Sequence, residues 1–280
     1  MNEDYDAALR REARKYIYAS HILHHHGVLD AYGHISFRHP FKSDIFIMSR
    51  NTASALVSSP EDLIQYYIES SRPLDPLKVK ESYLERFIHS EIYKQYPQIN
   101  SVVHSHSETV IPYTVNRVRL RPVLHLAGFL NPKGPPVWDI ANCQRKYAVT
   151  GAEALEKKDE VDILVKDEFY GRKFAYNFLN GSAVALMRGH GFTTVGETIE
   201  EAVFRAIYTE KNARVLTASM AVQDSARATM SFALGADPGI LTLNKQEALA
   251  SNQVIKATIQ RPWELWVREV EALPLYRNNV

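Results

Sequence analysis

INSVVHSHSETVIPYTV, residues 99–115, is the stretch on which the reading of the whole chain turns. Ile99, Val102 and Val103 mark a buried strand, yet His104 and His106 stand one residue apart in it. Side chains two apart on a strand leave the same face, about 6–7 Å from one another. Both rings therefore point one way, close enough to converge on a metal ion. Zn²⁺ and similar divalent ions take neutral imidazole nitrogens at about 2.0–2.1 Å. Taken alone the pattern is weak, because an isolated His-X-His is more often a pair of core or surface histidines bonded to backbone and solvent.

Two other segments shift that balance. In ALMRGHGFTTVG (185–196), His190 sits between Gly189 and Gly191 at the end of an apolar strand, where missing neighbours leave room for a metal or a substrate. In YLERFIH (83–89), Glu85 lies on the helix directly before the His104 strand. Three histidines leave at least one position open on a divalent ion, as in a catalytic rather than a structural site. A carboxylate beside them is a ready proton donor and acceptor. Singly, Glu85 reads as a solvated helix residue and Gly-His-Gly as a tight turn.

The rest of the chain sets the frame. Its 280 residues are 45% hydrophobic and 23% charged, with net charge +1. That is a globular composition with no electrostatic case for nucleic acid or an anionic membrane. The one cysteine, Cys143, excludes an internal disulfide framework and fits a reducing compartment, so a cytoplasmic location is expected. No apolar run approaches the ~20 residues of a membrane span. Periodicity predicts a helix over 4–26, a short strand within DAYGHISFRHP (30–40), where Ile35 and Phe37 alternate with Ser36 and Arg38, a strand at 44–49, a helix from the Ser59–Asp62 capping residues onward, and a helix over 81–97. RPVLHLAGFL (121–130) reads as a strand, 182–198 as strand, turn and strand, and 198–222 as an amphipathic helix. This order implies one α/β (α+β) domain over 1–280, a central, mostly antiparallel sheet flanked by helices. Residues 223–280 read as a C-terminal extension, a lid or an oligomer contact. The run His24, His25, His26 is set apart from the site: consecutive residues on a helix end diverge by about 100° each, and cationic rings before Gly27 suit a helix C-terminus.

GHISFR, ERFIHSEIY, INSVVHSHS and MRGHG together resemble the class II aldolase/adducin family over residues 8 to 222. The step of 19 residues from Glu85 to His104 is similar to the family's step from catalytic acid to first metal ligand. The resemblance implies a class II aldolase-like fold, His104, His106 and His190 as ligands of zinc or another divalent ion (Mn²⁺, Co²⁺ or Fe²⁺), and Glu85 as catalytic acid/base. It also implies a homotetramer.

Departures from the sugar-phosphate members bear on substrate. Where those enzymes hold phosphate, this chain has Gly33-His34, Arg50-Asn51 and Tyr83-Leu84. Bulky, aromatic and cationic groups replace small hydroxyls, which argues against a phosphate cradle. His34, Arg50 and Asn51 become candidates for binding a carboxylated small molecule, Arg50 through its planar fork or else as a plain surface arginine. Where the aldolases carry a tyrosine acid, Leu126 stands with His125 before it, making His125 a second catalytic candidate or a core histidine. DAYGHISFRHP, YLERFIH and LHLAGFL look most like the branch of carboxymuconic-semialdehyde and dihydroxyphthalate-type decarboxylases. The expected activity is a metal-dependent carbon–carbon lyase working through a metal-stabilised enolate, by decarboxylation or retro-aldol cleavage. A non-haem iron oxygenase on the same histidines, or an adducin-like scaffold without catalysis, are the alternatives.

Overall fold

The computed structural model describes residues 3–143, 162–229 and 239–280. Helix α1 (Glu3–His25) buries Ala13, Tyr16, Ile17, Ile22 and Leu23 along one stripe, as its periodicity predicts. Strands β1 (His34–Arg38), β2 (Ile45–Ser49) and β3 (Leu63–Tyr67) form an antiparallel meander. Helix α2 (Arg86–Gln95) leads into β4 (Ser101–Ser105), followed by the short α3 (Pro112–Val115) and edge strand β5 (Val137–Trp138). Then come α4 (Glu168–Ala175), β6 (Val184–Met187), β7 (Gly191–Gly196) and the long α5 (Ile199–Thr229). Helices α6 (Lys245–Thr258) and α7 (Gln260–Glu271) close the chain.

The described strands form one sheet in the order β3-β2-β1-β4-β7-β6-β5. Every pairing is antiparallel except β5 with β6. Strand β4, which carries His104, lies near the centre with all five residues buried. Alternation sends Ile35, Phe37, Val103 and Phe192 into a core shared with α1, α5 and α7. The opposite face packs Val102, Phe46 and Met48 beneath α2 and α4. His34, Ser36, His104 and Thr193 share that second face by parity, aligned by the pairs His34↔His104 and His104↔Thr193. Helices α2 and α4 cover it at close range: a Cβ on Gly171 would lie 2.6 Å from the Phe87 carbonyl.

Two segments differ from the sequence reading. The capping chemistry at Ser59 is real, since Ser59 and Asp62 form a reciprocal capping box, but it closes only the 3-10 turn Pro60–Asp62. From Leu63 the burial alternates and Phe46 pairs with Tyr66, so the expected helix is strand β3. Period two, set by Ile64 and Tyr66, prevails over the cap. Residues 121–130 are not a strand either. The amides of Val123 and Leu124 are taken by the Asn212 side-chain oxygen, which leaves an irregular run and one 3-10 turn, His125–Ala127. A side chain of α5 stands in for the missing ladder.

The C-terminal region is helical and shares the first core: Trp263, Trp266 and Val270 of α7 are buried with residues of α1 and α5. Helix α5 is fixed to the sheet by Arg205, which ion-pairs with Glu201 at 2.7 Å and donates to the Val195 carbonyl. Among the described residues no helix is long and apolar enough to cross a membrane.

Candidate metal centre

His104, the penultimate residue of β4, reaches the centre from the strand, and His106 from just beyond its end at Ser105. His190 enters from the β6–β7 turn, where Gly189 has φ +64°. Gly191 is required there for a different reason: a Cβ would fall 1.9 Å from the Ser105 carbonyl, so only glycine lets β7 pass this close. Glu85 is the residue before α2 rather than a residue within it, and is buried.

These four side chains meet. The Nε2 atoms form a triangle with edges of 3.1 Å (His104–His106), 3.3 Å (His104–His190) and 3.2 Å (His106–His190). Glu85 Oε2 lies 3.3 Å from His190 Nε2 and 3.6 Å from His104 Nε2, while its Oε1 accepts the Val165 amide at 2.8 Å. One ligand atom from each residue falls within 4.8 Å of all the others. A tetrahedral ion with nitrogens at about 2.0–2.1 Å would hold them roughly 3.3 Å apart, so the triangle has the size of a divalent ion's coordination face.

Electrostatics supports the same conclusion. His104 Nδ1 lies 3.1 Å from Thr193 Oγ1, whose own hydrogen turns to Met187 Sδ at 3.9 Å. With the hydroxyl hydrogen on the sulfur, Thr193 Oγ1 accepts from Nδ1–H and the Nε2 lone pair faces the other imidazoles. His106 Nδ1 faces the Asp30 carboxylate at 3.6 Å, which orders its ring in the same sense. Burial, then crowding by neighbouring imidazoles, holds His104 well below the usual histidine range and lowers His106 too. Unprotonated nitrogens and a carboxylate oxygen turned toward one another repel unless a cation sits among them. Polar backing of imidazole rings, such as Thr193 and Asp30 give here, is the usual support of a metal site. The three imidazoles fit zinc or a similar ion, and the Glu85 carboxylate stands beside them at 3.3 Å from His190 Nε2.

Sequence reasoning did not find Thr193, Asp30 or His89. Thr193 becomes visible only once β4 and β7 are paired. Asp30 accepts the Tyr32 and Gly33 amides, an Asx turn that DAYG does announce. Although burial opposes it, those amides and His106 hold the Asp30 carboxyl below its ordinary range. His89 lies in the first turn of α2, four residues after Glu85, the residue that precedes the helix.

The other candidates are spread wider. His34 stands beside the cluster, its ring 5.0 Å from that of His104 and 4.7 Å from that of Tyr83. Arg50 Nε is held by Asp62 at 2.9 Å. Asn51 is exposed at the surface and His125 is exposed on its 3-10 turn, and nothing described joins either to the cluster. His24, His25 and His26 gather around Tyr276 and Trp266, away from the triangle.

The model of the Class II Aldolase and Adducin N-terminal domain matches residues 14–217. The chain belongs to the class II aldolase/adducin family. It is 42% identical over 274 residues to decarboxylase tropJ of Talaromyces stipitatus, spanning 95% of this chain and 96% of the relative. It is 26% identical over 205 residues to the 3,4-dihydroxyphthalate decarboxylase of Arthrobacter keyseri, spanning 68% of this chain and 71% of that one. Among solved structures, an aldolase II superfamily protein from Pseudomonas syringae superposes with a TM-score of 0.68 at 17% identity, covering 96% of this chain and 95% of that chain. The lyase class and the family fold expected from the four motifs are both met.

Proposed function

We propose that the protein is a metal-dependent decarboxylase of a non-phosphorylated, carboxylated aromatic or enolic acid. The observation that carries this reading is the triangle of imidazole nitrogens with the Glu85 carboxylate against it. Its setting in a chain 42% identical to a decarboxylase favours CO₂ loss over retro-aldol cleavage. His104, His106 and His190 hold the ion through Nε2, with zinc the first choice. Bound there, a divalent ion supplies Lewis-acid stabilisation of the negative charge left on the substrate when the C–C bond breaks.

The chain's own groups do the rest. Thr193 and Asp30 fix the rings of His104 and His106 so that the lone pairs face inward. The Val165 amide anchors Glu85 Oε1, leaving Oε2 as the oxygen that takes a proton from water and delivers it to the carbon left with the bonding electron pair when CO₂ departs. His34 lies next to the cluster and is assigned to the substrate. Arg50, Asn51 and His125 are given no step in this mechanism: Asp62 takes Nε of the first, and the other two are exposed with no described bond to the cluster. A cyclic homotetramer in the cytoplasm accompanies the family resemblance and the single cysteine.

The test is product analysis on zinc-loaded protein. Dihydroxyphthalates and related phenolic acids, assayed beside simple hydroxy-ketones, are expected to release CO₂ without oxygen uptake. Aldehyde release from the hydroxy-ketones alone would assign retro-aldol cleavage, and oxygen consumption would assign oxygenase chemistry.

A further inference from the structure

A run of hydrogen bonds leads from the core to the edge of the metal centre. Tyr93 Oη lies 2.7 Å from Ser36 Oγ, which lies 2.7 Å from His89 Nδ1. His89 Nε2 lies 2.7 Å from His34 Nδ1. Exposures of 1% for Tyr93, 0% for Ser36 and His89, and 3% for His34 seal the chain from water. Solvent therefore cannot rescue a proton pointing the wrong way.

Only one direction satisfies every hydrogen. If Tyr93 donates to Ser36, the Ser36 hydroxyl donates to His89 Nδ1, and His89 Nε2–H donates to His34 Nδ1. Reversed, the Tyr93 hydroxyl hydrogen would be buried with no acceptor among the described residues, which costs about 1–3 kcal/mol. His34 Nδ1 is then an acceptor, and its proton resides on Nε2. No described residue bonds to that nitrogen, and it is not among the sealed, unpartnered polar atoms. It is the end of the chain, on a ring that touches those of His104 and Tyr83.

We propose that Tyr93, Ser36 and His89 are positioning residues that lock His34 as an Nε2–H donor, aimed at an oxygen of the substrate's carboxylate. The ligand class rests on the decarboxylase reading; the locked tautomer does not. A neutral histidine is ambiguous between donor and acceptor. The chain removes that ambiguity, so a carboxylate oxygen is met by a hydrogen and never by a lone pair.

The experiment is ¹⁵N-histidine NMR on the full-length wild-type, Ser36→Ala, Tyr93→Phe and His34→Phe proteins, zinc-loaded, with His34→Phe assigning the His34 signals. Phthalate affinity is measured on the same samples. Wild-type His34 is expected as a single Nε2–H tautomer. Ser36→Ala should give a tautomer mixture, with phthalate held about tenfold more weakly and zinc content unchanged. His34→Phe should weaken phthalate at least as much, and Ser36→Ala added to it should weaken it no further. Tyr93→Phe, which removes only a hydroxyl, guards against misfolding and should loosen the tautomer in the same sense. A wild-type His34 protonated on Nδ1, or a tautomer indifferent to Ser36→Ala, overturns the chain. A locked tautomer with no phthalate binding upholds the chain and overturns the ligand class, and with it the carboxylate reading of the site.

Discussion

Two groups of histidines in this chain have opposite fates. His24, His25 and His26 are adjacent in sequence yet spread around a helix end, where their rings pack on Tyr276 and Trp266. His104 and His190 are 86 residues apart and bring their Nε2 atoms within 3.3 Å. Closeness in sequence does not make a site. A helix turns neighbours outward by about 100° per residue, whereas antiparallel strands place distant residues side by side on one face. The helix-end histidines also have ordinary roles: Gly27 ends the helix with a bond from its amide to the His24 carbonyl at 3.0 Å, and His24 Nδ1 meets Tyr276 Oη at 2.9 Å.

The sharpest way to break the comparison is to remove one ring from each group. His104→Ala should abolish both stoichiometric zinc and turnover, while His25→Ala should leave both intact, read by metal analysis and CO₂ release. Glu85→Gln should keep the metal and slow turnover by about 10²–10⁴-fold, which separates the proton carrier from the ligands. Thr193→Val keeps the shape behind His104 but frees its Nδ1. It should weaken zinc by about 10–100-fold, measured by competition with a chelator.

The smallest effect is on stability, and it belongs to α1 and the residue that follows it. Burial, the largest cause, lowers His21 and His26 from 6.5 to about 4. An unfolded chain binds protons on both rings between those values while the folded one does not. Their contribution is fully present above pH 6.5 and is lost as pH falls from there toward 4. His26→Gln should flatten the denaturation midpoint against pH across that window, with the zinc content at neutral pH unaltered.

Much of the centre was legible because each piece carries a local signal. His104 and His106 have strand spacing, His190 is isolated between glycines, and Glu85 precedes them at a family-like distance. What could not be read depends on pairing and packing. Thr193 acts only because β7 lies beside β4, and His34 meets His89 only after α2 settles on the sheet. Nothing local marks Asp62, twelve residues on, as the partner of Arg50 Nε. In the fold, the cap at Ser59 and the apolar run at 121–130 were both misleading. One closes a single turn before a strand, and the other gives its amides to Asn212 instead of a neighbouring strand.

Anomalous diffraction at the zinc edge from zinc-soaked crystals of the full chain tests the centre most directly. A single strong peak equidistant from Nε2 of His104, His106 and His190, at a coordination distance of about 2.0–2.1 Å, is the expected result. No peak inside that triangle, or a stronger one among His24, His25 and His26, would contradict the account.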